Sequence, residues 1–231
     1  MIRPAKLLPR ARAWCLDYLY VAYWQIHALL FPADHRHFLE GTGPGTAPVV
    51  LLPGIYETWQ FLHPVAERLH AAGHPVHVVK GLGYNHGTVP DMAHVVSRYL
   101  EENDLRGVLL VAHSKGGLIG KYVMSASDQA WRVERMTAIN TPFSGSVYAR
   151  FAPLRSLRDF SPRNAGLLKL ARNLEINHRI VSVYSAFDPH IPGGSFLEGA
   201  VNIKLDTMGH FRPIGDSRLL AVVEEQVAGL S

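Results

Sequence analysis

The stretch Val108-Leu109-Leu110-Val111-Ala112-His113-Ser114-Lys115-Gly116-Gly117 places a serine where an apolar run meets the start of a helix. A strand ending in so tight a turn lifts the serine hydroxyl above the sheet. The residues two before and two after it must be small, because neighbouring backbone comes close. Here they are Ala112 and Gly116. The helix beginning at Lys115 directs its positive end and free N–H groups toward any negative charge that develops there. A hydroxyl near its ordinary pKa is a poor nucleophile, so Ser114 needs an imidazole within hydrogen-bond reach to take its proton.

The chain has 13 histidines. His210 is the best placed, in a loop between the last apolar run and the final helical segment. His113 adjoins the serine, but its side chain should point away at such a turn, which makes it a packing residue. His86, in Gly83-Tyr84-Asn85-His86-Gly87, sits at a sheet edge, where it either lines a pocket or serves only its loop. The imidazole in turn needs a carboxylate to fix its tautomer. Asp188 follows the apolar run ending Val183-Tyr184-Ser185, in a loop stiffened by Pro189 and Pro192, whereas the rival Asp206 falls at the end of its own strand. The Lys115 side chain is expected to be solvated, because adjacent residues at the turn point apart and no Ser-Lys pair can form.

Several elements must position these groups. From Ala47 onward apolar runs alternate with helical periodicity, the sequence form of βαβ units around a buried parallel sheet. Strands are predicted over Pro48–Leu52, Pro75–Val79, Gly107–Ala112, Val133–Ile139, Arg179–Ser185 and Val201–Leu205. Helices are predicted over Trp59–Ala72, Asp91–Glu102, Lys115–Ser125 and Arg218–Ala228. Right-handed crossovers leave a three-layer, doubly wound sandwich as the simplest topology, with chemistry expected at the carboxyl ends of the strands.

These residues together resemble the α/β-hydrolase superfamily, in its lipase/esterase-like branch with an A-x-S-x-G nucleophile elbow, over nearly all of residues 47–231. Leu51-Leu52-Pro53-Gly54-Ile55 stands where such lipases carry His-Gly-x, with Pro53 in place of the histidine. Asn140-Thr141-Pro142-Phe143-Ser144-Gly145-Ser146 is similar to their T-P-x-x-G-S, and Ser114, Asp188 and His210 follow the family's chain order. The resemblance implies a mostly parallel α/β-hydrolase fold with a small cap at about 143–177, after the strand matching the family's sixth. It implies an acyl-enzyme on Ser114 with an oxyanion hole formed by the backbone N–H groups of Ile55 and Lys115. Tyr56, His86, Phe143, Leu154 and Leu157 are candidate pocket residues. Because the insertion also carries Phe151, Phe160, Leu167, Leu168 and Leu170, the expected substrate is an apolar carboxylic ester, small or lipid-borne. A thioesterase or acyltransferase using the same triad, and a noncatalytic scaffold, are the alternatives. The insertion reads equally as a moving lid or as a fixed helix pair. No cofactor and no metal is implied.

Residues 1–46 differ in character. Trp14 to Phe31 reads as one helix, rich in Tyr, Trp and Leu, and follows Arg3, Lys6, Arg10 and Arg12. With Asp17, Gln25 and His27 inside it, it falls short of the ~20 apolar residues of a spanning helix and lacks a clear signal-peptide cleavage site. It either packs on the core or lies at a membrane surface through residues 1–31, so the expected location is cytoplasmic or peripherally membrane-associated. At 231 residues, 48% hydrophobic and 18% charged, the chain reads as one globular domain plus this segment. The net charge of +4 is scattered and no nucleic-acid motif accompanies it, so nucleic acid is not an expected partner. A single cysteine, Cys15, excludes an intrachain disulfide and a thiolate metal cluster.

Overall fold

The computed structural model describes residues 7–30, 34–40, 43, 45–151, 155–158 and 160–229. Six parallel strands form one sheet: β1 Val49–Leu52, β2 Val76–Val78, β3 Val108–His113, β4 Val133–Ile139, β5 Ile180–Tyr184 and β6 Val201–Lys204. Their order is β2-β1-β3-β4-β5-β6. The direction of winding reverses between β1 and β3, and the crevice beyond their carboxyl ends is where such sheets hold ligands.

The strands form because their side chains are covered on both faces. Val50, Leu52, Leu110 and Ala112 enter one apolar cluster with Val96 of α3 (Val89–Glu102) and Ile119 of α4 (Lys115–Ala126). Val49, Leu51, Leu109 and Val111 enter the other, with Leu69 of α2 (His63–Ala71) and Val223 of α7 (Ser217–Ala228). Each fully buried Leu or Val contributes roughly 1.5–3 kcal/mol. β3 is central and buried throughout, so the residue that follows it is anchored at the middle of the sheet.

The helix expected over 59–72 divides into a 3-10 turn, Trp59–Leu62, and α2, with Pro64 in the first turn of α2. Proline lacks the N–H a helix interior needs and disfavours helical backbone before it, so the α-helix proper begins there. The insertion follows β4 and contains a 3-10 turn, Val147–Phe151, and two short helices, α5 Arg155–Arg158 and α6 Ala165–Arg172. Its Phe160, Leu167 and Leu170 join the α3/α4 side of the core.

The N-terminal helix, α1, runs Leu7–Leu30 and so begins earlier than its apolar stretch. It packs against the turns at 59–62 and 212–215, burying Ala13, Asp17 and Trp24. Among the described residues no helix is long and apolar enough to cross a membrane.

Candidate active site

Ser114 lies in the turn between β3 and α4 with φ +50° and ψ −118°, a conformation that costs a non-glycine residue on the order of 1–3 kcal/mol. The surroundings impose it: the Ser114 N–H donates to Ile139 O of β4 at 2.9 Å. The requirement for small neighbours has a visible cause. A Cβ on Gly116 would lie 2.0 Å from Leu52 O, and one on Gly117 would lie 2.0 Å from Thr141 Oγ1.

The structure brings the three sequence candidates together. Ser114 Oγ is 3.0 Å from His210 Nε2, and His210 Nδ1 is 2.7 Å from Asp188 Oδ2. The other Asp188 oxygen accepts the N–H groups of His190 at 2.7 Å and Ile191 at 3.0 Å. With the carboxylate accepting at Nδ1, the neutral imidazole presents the Nε2 lone pair to the serine hydroxyl. Burial pushes His210 down, but Asp188 beside it, through charge and hydrogen bond, more than reverses this and holds it above its usual range. For Asp188, burial alone would raise the carboxyl; the charge of His210 and the hydrogen bonds outweigh it and hold the group below the ordinary carboxylate value. The rival, Asp206, is exposed.

The loop bearing His210 is fixed by groups that sequence reasoning did not assign to the site. Asp17 of α1 is buried, and its carboxylate accepts the N–H of His210 at 2.8 Å, of Phe211 at 2.8 Å and of Arg212 at 2.9 Å. A Cβ on Gly209 would lie 2.4 Å from Asp17 Oδ1, so glycine before the histidine is what lets this carboxylate approach. From the other side, Asn140 Nδ2 donates to His210 O at 2.8 Å and His113 Nε2 donates to the same oxygen at 3.0 Å. His113 is therefore more than a packing residue. Its Nδ1 lies 2.8 Å from Glu57 Oε1, forming a second buried imidazole–carboxyl pair behind the first.

Glu57 connects this pair to the loop after β1. Its Oε2 accepts the Gly54 N–H at 2.8 Å, while Asn85 Nδ2 donates to Pro53 O at 2.7 Å and Gln25 Nε2 of α1 donates to Tyr56 O at 3.0 Å. Ile55 is thus carried on a braced turn and lines the same cavity as Ser114; Lys115 is the first residue of α4. The Lys115 side chain is not solvated, contrary to expectation. It is buried and donates to Asn85 O at 2.8 Å and to Gly87 O, since the turn directs it under the 83–87 loop rather than outward.

Ser114 and His210 open into a cavity of about 380 Å³ whose walls include Phe61, Ala149, Leu157, Phe160, Ile191 and Phe211. Val21 and Gln25 of α1 complete one side. Of the pocket candidates, Tyr56 and Leu157 line this cavity. Phe143 does not; it is buried in the core, 5.9 Å from the Lys121 ammonium, because the chain turns inward after β4. His86 is exposed and outside the cavity, its neighbour Asn85 being the residue turned in. Leu154 lies outside the described residues. Among the missed lining residues, His190 stands with its ring centroid 5.0 Å from that of His210; burial, then the charge of His210, lower its pKa.

No protein-family model matches the chain, and no curated protein matches it. Solved structures do. The mature form of the Bacillus licheniformis lipase BlEst2 superposes with a TM-score of 0.63 at 19% identity, over 82% of this chain and 95% of that one. Its propeptide form gives 0.66 at 17% identity over 82% of this chain, which spans only 52% of that longer chain. MGS-MChE2, an α/β hydrolase enzyme from a lagoon-sediment metagenome, gives 0.57 at 15% identity over 81% and 93%. The type II thioesterase BorB of the borrelidin biosynthetic cluster gives 0.55 at 16% over 82% and 94%. The chain has the α/β-hydrolase fold, with a serine in the turn after its central strand.

Proposed function

We propose that the protein is a serine hydrolase of carboxylic esters with an apolar acyl group. The observation that carries this reading is the unbroken relay from Ser114 through His210 to Asp188, opening into a mainly apolar cavity. His210 Nε2 takes the Ser114 proton as Oγ attacks the ester carbonyl carbon. The resulting oxyanion is met by the backbone N–H groups of Ile55 and Lys115, each worth about 3 kcal/mol in comparable sites. Collapse breaks the bond to the alkoxy oxygen, which leaves with the proton from His210. Water then gives a proton to His210 and attacks the acyl-serine, and the second collapse releases the carboxylic acid and restores Ser114. Asp188 holds Nδ1 protonated and stabilises the imidazolium in both halves.

The test is a p-nitrophenyl ester series run on wild type beside Ser114→Ala, with the matching acyl-CoA thioesters in parallel. The reading expects Ser114-dependent turnover that rises from acetate to butyrate or longer chains. A peak at acetate contradicts the apolar acyl preference. Turnover confined to thioesters moves the assignment to a thioesterase with the same residues, and turnover equal in Ser114→Ala contradicts the mechanism.

A further inference from the structure

A helix that packs on a domain should carry one apolar stripe, yet α1 carries two. Its inner side holds Ala13, Asp17 and Trp24 against the domain. Its outer side shows Leu8 at 82% exposure, Leu19 at 59%, Tyr23 at 59%, Ile26 at 57% and Leu30 at 62%. These outer positions follow one another at 11, 4, 3 and 4 residues, the spacing of a single helix face. Contiguous exposed apolar surface of this kind marks an interaction site.

The charge around the stripe selects the partner. Asp17 is the sole acidic residue of α1 and is turned inward, its carboxylate occupied by three backbone N–H groups. The amino-terminal end is cationic: Arg12 is exposed and borders a surface depression with Arg212, and Arg10 lies over the Phe187 ring. An apolar face edged by arginines with no outward acid complements an anionic lipid surface. The face also continues to the site. Half-exposed Trp14 and Tyr18 flank His190 of the cavity wall, with ring centroids 6.0 and 5.9 Å from it, and exposed Tyr56 and Tyr148 line the cavity itself. Aromatic side chains with a polar edge favour headgroup depth.

We propose that α1 docks its outer face on an anionic bilayer surface and sets the mouth of the Ser114 cavity at the headgroup level. Docking stands independently of the chemistry; only the delivery of a lipid-borne ester to Ser114 rests on the function proposed above. Truncation of α1 cannot test it, because Asp17 would be lost with the helix, so point substitutions on the outer face are needed.

The experiment is co-sedimentation of the full chain, as wild type and as Ser114→Ala, with vesicles of phosphatidylcholine alone or mixed with phosphatidylglycerol. Both proteins should pellet with the anionic vesicles, more weakly at high salt. L19S/Y23S/I26S should reduce partitioning at least about tenfold, and R12Q about fivefold. Circular dichroism should show both variants folded, R12Q melting as wild type and L19S/Y23S/I26S slightly lower, because the Tyr23 ring lies 5.0 Å from that of Trp24. Absence of binding to anionic vesicles, or binding that neither variant weakens, overturns docking. So does a stable dimer in sedimentation velocity that L19S/Y23S/I26S dissolves, which would make a second copy of the chain the occupant. A protein that docks but hydrolyses no ester sinks the function proposed above and leaves docking intact.

Discussion

The carboxylate of Asp17, on the N-terminal helix, accepts the backbone N–H of His210 at 2.8 Å, across 193 residues of sequence. It takes the next two N–H groups as well, so the position of the imidazole is set by a helix outside the βαβ core. Asp17→Asn should therefore leave the sheet intact and lower kcat on common ester substrates by ten- to a hundredfold, the order of loss that a 1 Å misplacement causes. Because the Asp17 charge also helps raise the His210 pKa, the acid limb of kcat/KM should shift to lower pH in the variant. A merely structural role would lower the melting temperature and leave that limb in place.

The pH profile of the wild type follows from the direction of the His210 shift. The neutral imidazole is the base, and its raised pKa keeps it protonated to higher pH than a free histidine. The acid limb of kcat/KM should then lie above the ordinary value of about 6.5. Asp188→Asn removes the main raising influence and should move the limb down while cutting kcat by several orders of magnitude. The linkage for stability runs the other way. The contribution of His210 is fully present below its unfolded pKa and declines as pH rises through the raised value, whereas that of Asp188 is present above about 3.8 and is lost as pH falls through its lowered value. Urea denaturation across pH would show both.

Backbone strain at Ser114 gives a prediction that separates geometry from chemistry. At φ +50° and ψ −118° glycine is at ease and alanine is not. Ser114→Gly and Ser114→Ala should both be inactive, with the glycine variant the more stable by about 1 kcal/mol. Equal midpoints in urea would show that the turn relaxes and stores no strain.

How much of this was legible in the sequence depends on range. The strands were readable because unbroken apolar runs such as Val108–Ala112 have few other fates, and Ser114, Asp188 and His210 were readable because each lies in the turn or loop that follows a strand. Asp17 was not: read locally it is only a polar residue interrupting an apolar helix, and its partners lie at the far end of the chain. The polar partners of Lys115 and His113 were hidden for the same reason. Adjacency to the serine says which way a side chain leaves the turn, but not that buried carbonyls and Glu57 wait to receive it. Phe143 and His86 show the limit of assigning pocket residues by proximity to a motif, since one turn of backbone decides whether a ring enters the core, the cavity or water. The helix break at Pro64 is a local signal, since proline fits only the first turn of a helix.

The buried ammonium of Lys115 predicts a stability defect rather than a chemical one. It donates to the carbonyls of Asn85 and Gly87, and Lys115→Met would leave both buried acceptors short of a donor. Charge-assisted bonds of this kind contribute about 1.5–3 kcal/mol each, so the variant should lose a few kcal/mol in urea denaturation. Its backbone N–H remains, so kcat of the folded fraction should fall less than in Asp17→Asn.

The claim that the Ser114–His210–Asp188 relay makes an activated nucleophile is tested most directly by covalent capture. Reaction with a fluorophosphonate, followed by intact-mass measurement and peptide mapping, should add one phosphonyl group per chain, on Ser114. Ser114→Ala should be unlabelled, and His210→Ala should label more slowly by orders of magnitude. A wild-type protein that is folded yet unlabelled, or labelled at a residue other than Ser114, would contradict the account.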